Sequence, residues 1–124
     1  MKFTTAVGAY LPAKGGPDSL NADLVNPTDS NSGEFGGQVL TLKINVDFSA
    51  LGITANGPLG ALVLCNFGVT VNQVLADANT ALGGGALPSY VTSISELNDL
   101  VTNLNEAFDN CMDTAWAEAN LCRP

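Results

Sequence analysis

The sequence predicts an all-α fold: a small irregular helical bundle that forms a single globular domain over residues 1–124. Residues 70–85 and 93–116 each repeat apolar side chains at intervals of three and four, the spacing of a helix that buries one face. Two such helices need a further apolar element to pack against, and residues 36–49 supply one. Since apolar residues make up 46% of the chain and charged residues only 13%, we expect a folded core rather than disorder.

The amino-terminal third predicts two short helical segments followed by a polar loop. Residues 4–11 form the first segment, because a threonine can cap its start and Pro12 ends it. Residues 17–27 allow a second helical turn. Residues 28–34 are polar and typical of a loop.

The stretch GGQVLTLKINVDFS, residues 36–49, fits two kinds of structure. Its apolar residues alternate with polar ones, as in a half-buried strand, and a short β-hairpin of residues 39–48 and 61–67 would make the fold α+β. The stretch also fits a helix, because Val39, Leu42 and Val46 would fall on one stripe of it. Three further apolar residues broaden this stripe: Leu40, Ile44 and Phe48. Periodicity favours the strand, whereas packing against the two amphipathic helices favours a third helix.

Residues 70–85, TVNQVLADANTALGGG, carry the signals of both helix ends. Thr70 and Gln73 have the spacing of a capping box, in which each side chain bonds a backbone N–H of the first turn. The glycines at 83–85 and Pro88 prevent the helix from continuing. The predicted buried stripe is Val71, Val74, Leu75, Ala78 and Leu82.

Residues 93–116, SISELNDLVTNLNEAFDNCMDTAW, predict one longer helix. Ser93 and Glu96 form a second capping box. The opposite face carries acidic and amide side chains, which is typical of a solvated surface. The predicted buried stripe is Ile94, Leu97, Val101, Leu104, Phe108, Cys111 and Ala115.

The three cysteines have no CxxC spacing, so we expect neither a zinc site nor thioredoxin-like chemistry. If residues 111–122 form one helix, Cys111 and Cys122 lie about 16 Å apart. That is too far for a disulfide, whose Cα atoms lie within about 7 Å of each other. Cys65 would then pair with one of these two cysteines. We favour a disulfide between Cys65 and Cys122, with Cys111 free, because it ties down a terminus that would otherwise fray. Cys111 stays an alternative partner, and its pairing with Cys122 requires the chain to turn near residues 110–113.

The composition excludes several classes of function. Because there is no histidine, catalysis by Ser–His–Asp or Cys–His groups and most zinc sites are excluded, and we predict no catalytic residue and no cofactor. The net charge of −8 argues against nucleic-acid binding, which needs basic side chains against the phosphates. No apolar run approaches the roughly 20 residues that span a bilayer, so we expect no membrane insertion.

Two local patterns raise candidate sites, and each has a simpler interpretation. The motif DSNSGE offers oxygens at Asp29, Asn31 and Glu34, as the start of a calcium loop does, but its glycine lies one position early for an EF-hand. A plain turn is the simpler interpretation. Lys43 and Asp47 are four residues apart and predict a surface ion pair on a helix. An intramolecular isopeptide crosslink would instead require a buried lysine.

The order of three motifs resembles an uncharacterised module of secreted and cell-surface bacterial proteins. The motifs are FGGQVLTLKINVDFS, then TVNQVLADANTALGGG, then ISELNDLVTNLNEAFDNC. With the upstream TTAVGAYLP they cover most of the chain. The module has no established activity, so the resemblance transfers no catalytic residue. It implies an extracellular setting and a mainly helical fold, and it favours the helix for residues 36–49.

These observations predict an extracellular structural or protein-interaction module of a bacterial surface or secreted protein, without catalytic activity. We expect a protein partner or self-association. Low charge together with many Asn, Ser and Thr residues suits a surface that makes neutral polar contacts. The alternative is a small-molecule or carbohydrate-binding module that uses Tyr10, Tyr90 or Trp116 as a stacking platform.

Overall fold

The computed structural model describes residues 9–21, 32–51, 58–107 and 114–122. Along the chain its elements are helix α1 (Glu34–Ala50), a 3₁₀ helix (Leu59–Ala61), strands β1 (Val63–Leu64) and β2 (Val69–Thr70), helices α2 (Val71–Leu82), α3 (Ile94–Glu106) and α4 (Ala115–Asn120), and strand β3 (Leu121–Cys122). The described ranges are mostly helical, as predicted, and include a small antiparallel sheet that the all-α prediction missed. None of their helices is long and apolar enough to cross a bilayer.

Helix α1 contains the whole of the ambiguous stretch 36–49, so the alternative of a strand at 39–48 is wrong. The alternation in the sequence arises from two apolar stripes on one helix, because a helix that is apolar on two sides places apolar residues at nearly every second position. The buried stripe is Phe35, Val39, Leu42 and Val46, and the half-buried to exposed stripe is Leu40, Ile44 and Phe48.

Helices α2 and α3 begin at the predicted capping residues. The Thr70 hydroxyl accepts a hydrogen bond from the backbone N–H of Gln73 at 3.1 Å. The Ser93 hydroxyl accepts one from the N–H of Glu96 at 3.1 Å, and the Glu96 carboxylate accepts one from the N–H of Thr92 at 2.7 Å. Each cap satisfies a backbone donor that has no partner within the helix.

The prediction of one continuous helix over residues 93–116 is wrong. Helix α3 ends at Glu106, and Thr114 has an extended backbone and caps the separate helix α4. The carbonyl of Ala107 accepts hydrogen bonds from both the N–H and the hydroxyl of Thr114, each at 3.0 Å. These bonds return the chain to the end of α3 and set α4 against the sheet.

The sheet has the strand order β2-β1-β3, and both pairs are antiparallel. Val63 pairs with Thr70 on one side and with Cys122 on the other. The predicted strand over 61–67 is therefore present only as two residues, and its partners are β2 and β3 rather than residues 39–48. Strands of two residues are too short to show a period of two in the sequence.

The core lies between α1, α2 and α3, and α1 makes its most extensive contact with α3. Burying one large apolar side chain contributes about 1.5–3 kcal/mol. Polar bonds add to this packing, since the Asn105 side-chain NH₂ donates to the carboxamide oxygen of Gln38 at 2.7 Å and its oxygen accepts from Asn45 at 3.1 Å. The largest fully buried apolar side chains are Phe35, Leu42, Leu97, Leu104, Val71, Val74 and Val101.

Candidate interaction surface

The turn between β1 and β2 places one aromatic side chain at the surface. The carbonyl of Leu64 accepts hydrogen bonds from the N–H groups of Phe67 at 3.1 Å and Gly68 at 2.8 Å, which closes a four-residue turn. Gly68 has a φ of +71°, a conformation that glycine adopts without strain. Phe67 is the third residue of this turn, and its side chain is 45% exposed.

Contacts with the carboxyl-terminal strand fix the start of this turn. Cys65 and Cys122 are joined by a disulfide, and their Cα atoms lie 5.5 Å apart. The Cys65 N–H donates to the carbonyl of Asn120 at 2.9 Å, and the Asn66 side-chain NH₂ donates to the Asn120 side-chain oxygen at 3.1 Å. A covalent bond and two hydrogen bonds therefore hold the two residues that precede Phe67.

The structure thus brings together the two cysteines that the sequence favoured as a pair, although part of the reasoning was wrong. The helix over residues 111–122 on which the exclusion of a Cys111–Cys122 bond depended is not present, because α4 has six residues and Cys122 lies in β3. Cys122 reaches Cys65 because β3 pairs with β1. Cys111 lies outside the described residues.

Phe67 stacks on Tyr90, which precedes α3. The ring centroids lie 5.3 Å apart and the ring planes differ by 22°, an offset-stacked arrangement. Tyr90 is half-buried, so one ring of the pair is anchored while the other faces solvent. Such a pair contributes about 0.5–1.5 kcal/mol beyond the burial of its area.

The Tyr90 hydroxyl is held by α2. It donates to one carboxylate oxygen of Asp77 at 2.7 Å, and the side-chain NH₂ of Gln73 donates to the other oxygen at 2.8 Å. Burial raises the pKa of Tyr90 above its usual value near 10, and the hydrogen bond and negative charge of Asp77 raise it further. The hydroxyl is therefore a fixed donor. We call Phe67, Tyr90, Asp77 and Gln73 the hairpin patch.

The three aromatic residues predicted as platforms are not brought together in one site. Tyr90 belongs to the hairpin patch, but one face of its ring lies against Phe67. Trp116 is half-buried and packs against the core, and the hydroxyl of Tyr10 lies close to Gly36 of α1. Sequence reasoning missed Phe67. The signal was a turn sequence, CNFG, between the apolar run ALVL and the β-branched run VTV. Only the fold brings Phe67 of this turn next to Tyr90.

The calcium and lysine candidates are exposed at the positions that the structure describes. Asp29 and Asn31 lie outside the described residues, and Glu34 is exposed in the first turn of α1. Over the described ranges, no group of three His, Cys, Asp or Glu side chains is placed to hold a metal ion. Lys43 is exposed and pairs with Asp47 at 3.0 Å, which is the predicted surface ion pair.

Comparisons with protein-family models, with curated proteins and with solved structures gave no match. The resemblance to a secreted bacterial module therefore stays a prediction.

Proposed function

We propose that the chain is a non-catalytic extracellular module that acts through protein–protein contact at the hairpin patch. The observation that supports this most is the placement of an exposed aromatic ring on a disulfide-held turn. Aromatic side chains are enriched in protein interfaces, where they supply much of the binding energy. The chain also has no histidine, so the commonest general base of enzymes is missing.

The extracellular setting is supported by the disulfide. Disulfides persist mainly in oxidising compartments and in secreted proteins. The side chains of Cys65 and Cys122 both belong to exposed residues, so a reducing compartment would have ready access to the bond. The net charge of −8 suits a solvated surface that does not adhere to nucleic acid or anionic lipid.

Rigidity of the hairpin patch supports a role in recognition. Ordering a free side chain and a free loop on binding costs free energy, and that cost falls when the unbound surface already has the bound shape. Here the disulfide holds the start of the turn that contains Phe67. A hydrogen bond to Asp77 holds the Tyr90 ring on which Phe67 stacks. A partner that covers Phe67 gains apolar burial with little loss of entropy.

Self-association is the form of this function that can be tested with the purified chain alone. We expect sedimentation equilibrium to show a concentration-dependent dimer or larger assembly. Phe67→Ser removes the exposed ring and should weaken the association. Phe48→Ser is a matched control, since Phe48 is 46% exposed on α1 and Phe67 is 45% exposed in the turn.

Two outcomes would contradict the proposal in this form. A strictly monomeric wild type at high concentration excludes self-association. An assembly that Phe48→Ser disrupts and Phe67→Ser leaves intact would move the contact from the hairpin patch to the end of α1.

Carbohydrate binding is the alternative function, and the exposed Phe67 ring is the observation that favours it. A flat ring held by a second ring can stack on the apolar face of a sugar. Titration with a panel of neutral oligosaccharides, followed by two-dimensional NMR, tests this directly. Shifts at Phe67 and Tyr90 with one sugar class would replace the protein-contact proposal.

A further inference from the structure

We infer that the groove between α1 and residues 11–13 is a second binding site, for a small aliphatic ammonium ion. We call residues 11–13 the amino-terminal strap. The groove has a volume of about 330 Å³, which lies within the range of small-molecule sites. It is lined by Leu11, Pro12, Ala13, Glu34, Gly37, Gln38 and Thr41.

The strap lies directly on α1, so the groove has a fixed floor. A side chain at Gly37 would place its Cβ 2.6 Å from the Cβ of Ala13 and 3.3 Å from a methyl group of Leu11. Only glycine allows this approach without a shift of the strap. Near one end of the groove, the N–H of Glu34 donates to the carbonyl of Gly15 at 2.9 Å, which holds the chain that follows the strap.

The helical wall of the groove is a polar stripe. Glu34, Gln38 and Thr41 follow the i, i+4, i+7 spacing of one helix face. The Thr41 hydroxyl donates its proton to the carbonyl of Gly37 at 2.9 Å, so its lone pairs are left to accept. The Gln38 carboxamide is fixed, because its oxygen accepts from the side chain of Asn105 at 2.7 Å.

The two walls together define the chemistry of the ligand. Glu34 is the one ionisable side chain in the lining, and its carboxylate accepts hydrogen bonds, as does the Thr41 hydroxyl. The strap offers apolar surface from Leu11 and Pro12. A short alkyl chain can lie on the strap while its ammonium group donates to the carboxylate. An anion is disfavoured by Glu34 and by the net charge of −8.

The affinity should be low, in the millimolar range. Glu34 is exposed, and ion pairs in such positions contribute little free energy. Glu34 also lies in the first turn of α1, where the helix dipole favours negative charge and so opposes a cation. Selectivity for charge is therefore a sharper test than affinity.

The experiment is a ¹H–¹⁵N NMR titration of the full chain with n-pentylammonium chloride near neutral pH. 1-Pentanol serves as the neutral probe of similar size. We expect saturable shifts for residues 11–13 and 34–41 with the ammonium probe and weaker shifts with the alcohol. Glu34→Gln should weaken the binding by roughly 1.5- to 5-fold. Glu118→Gln is the matched control and should bind as the wild type does, because Glu118 is exposed in the first turn of α4.

Three results would overturn the inference. The first is equal binding of the ammonium and the alcohol by the wild type. The second is equal weakening by Glu34→Gln and Glu118→Gln, which would indicate a general effect of net charge. The third is the absence of saturable shifts along the groove. None of these results depends on the hairpin patch, so the two sites are tested separately.

Discussion

The helical core and the small sheet with α4 are held together by different means. In the core, formed by α1, α2 and α3, large side chains such as Phe35 and Leu42 are fully buried. The second region, which we call the hairpin clasp, consists of residues 63–70 and 114–122. Its strands have two residues each, and its buried apolar side chains are Leu64 and Ala117.

The clasp shows how a small module can present an exposed aromatic ring on a fixed backbone. A strand pair of two residues buries too little apolar surface to be stable alone. In the clasp, a disulfide and backbone hydrogen bonds add to the burial of Leu64 and to the packing of Val69, Trp116 and Leu121 against the core. Phe67 can then remain 45% exposed, because its position does not depend on being buried.

Removal of the disulfide should have the largest effect on the free energy of unfolding. The double variant Cys65→Ser with Cys122→Ser frees a loop whose ends are 57 residues apart. The loop-closure entropy of the unfolded chain then predicts a loss of about 4 kcal/mol in the free energy of unfolding. Urea unfolding of the variant and the wild type measures this loss. A loss below about 1 kcal/mol would show that noncovalent contacts hold the clasp.

A matched pair of leucine truncations compares the two regions through burial. Leu104 of α3 is 1% exposed, whereas Leu121 of β3 is half-buried. We expect Leu104→Ala to lower the free energy of unfolding by about 3 kcal/mol and Leu121→Ala to lower it by about 1 kcal/mol. Equal losses in chemical denaturation would contradict the distinction between a packed core and a covalently held clasp.

Tyr90 joins the clasp to the core, and its contribution to the free energy of unfolding should fall at high pH. The pKa of Tyr90 is raised in the folded state, so its contribution to stability is complete below pH 10 and is lost as the pH rises further. The difference in unfolding free energy between the wild type and Tyr90→Phe should be constant up to about pH 9 and shrink above pH 10. A constant difference up to pH 11 and beyond would contradict the raised pKa, because ionisation of this tyrosine in the unfolded chain is what should remove the difference. Absorbance of tyrosinate at 295 nm checks that Tyr90 stays neutral in the folded protein over this range.

The ion pair on α1 should have the smallest effect. Lys43 and Asp47 are about half exposed, and such pairs contribute about 0.3–0.5 kcal/mol. Lys43→Gln should therefore change the free energy of unfolding by less than about 0.5 kcal/mol. The small loss should vanish in high salt, because salt screens exposed charges. A larger loss that persists in high salt would assign Lys43 a structural role.

Local signals in the sequence were sufficient to place the starts of two helices of the core, although α3 ends earlier than predicted. Thr70 and Ser93 cap α2 and α3 through contacts that lie three residues apart along the chain. The stretch 36–49 was ambiguous because two apolar stripes on one helix resemble the alternation of a strand. Only its place between the other helices, where one stripe is buried, distinguishes the two.

The clasp was harder to predict, because it depends on contacts between distant residues. Two-residue strands carry no periodic signal, and β3 pairs with β1 across 57 residues. The stack of Phe67 on Tyr90 likewise joins two loops that no local pattern connects. Helix length pointed to Cys65 as the bridging partner although residues 111–122 are not one helix, and the choice of Cys122 over Cys111 came from the need to tie down a terminus.

The most direct test is a comparison of ¹H–¹⁵N NMR spectra of the wild type and the double cysteine-to-serine variant under native conditions. If the disulfide holds the clasp, signals from residues 63–70 and 114–122 should move toward random-coil positions, while signals from α1 and α3 stay in place. Unchanged clasp signals would contradict the account, since noncovalent contacts would then suffice to hold Phe67. Movement of the α1 and α3 signals toward random-coil positions as well would also contradict the account, because the core would then depend on the clasp.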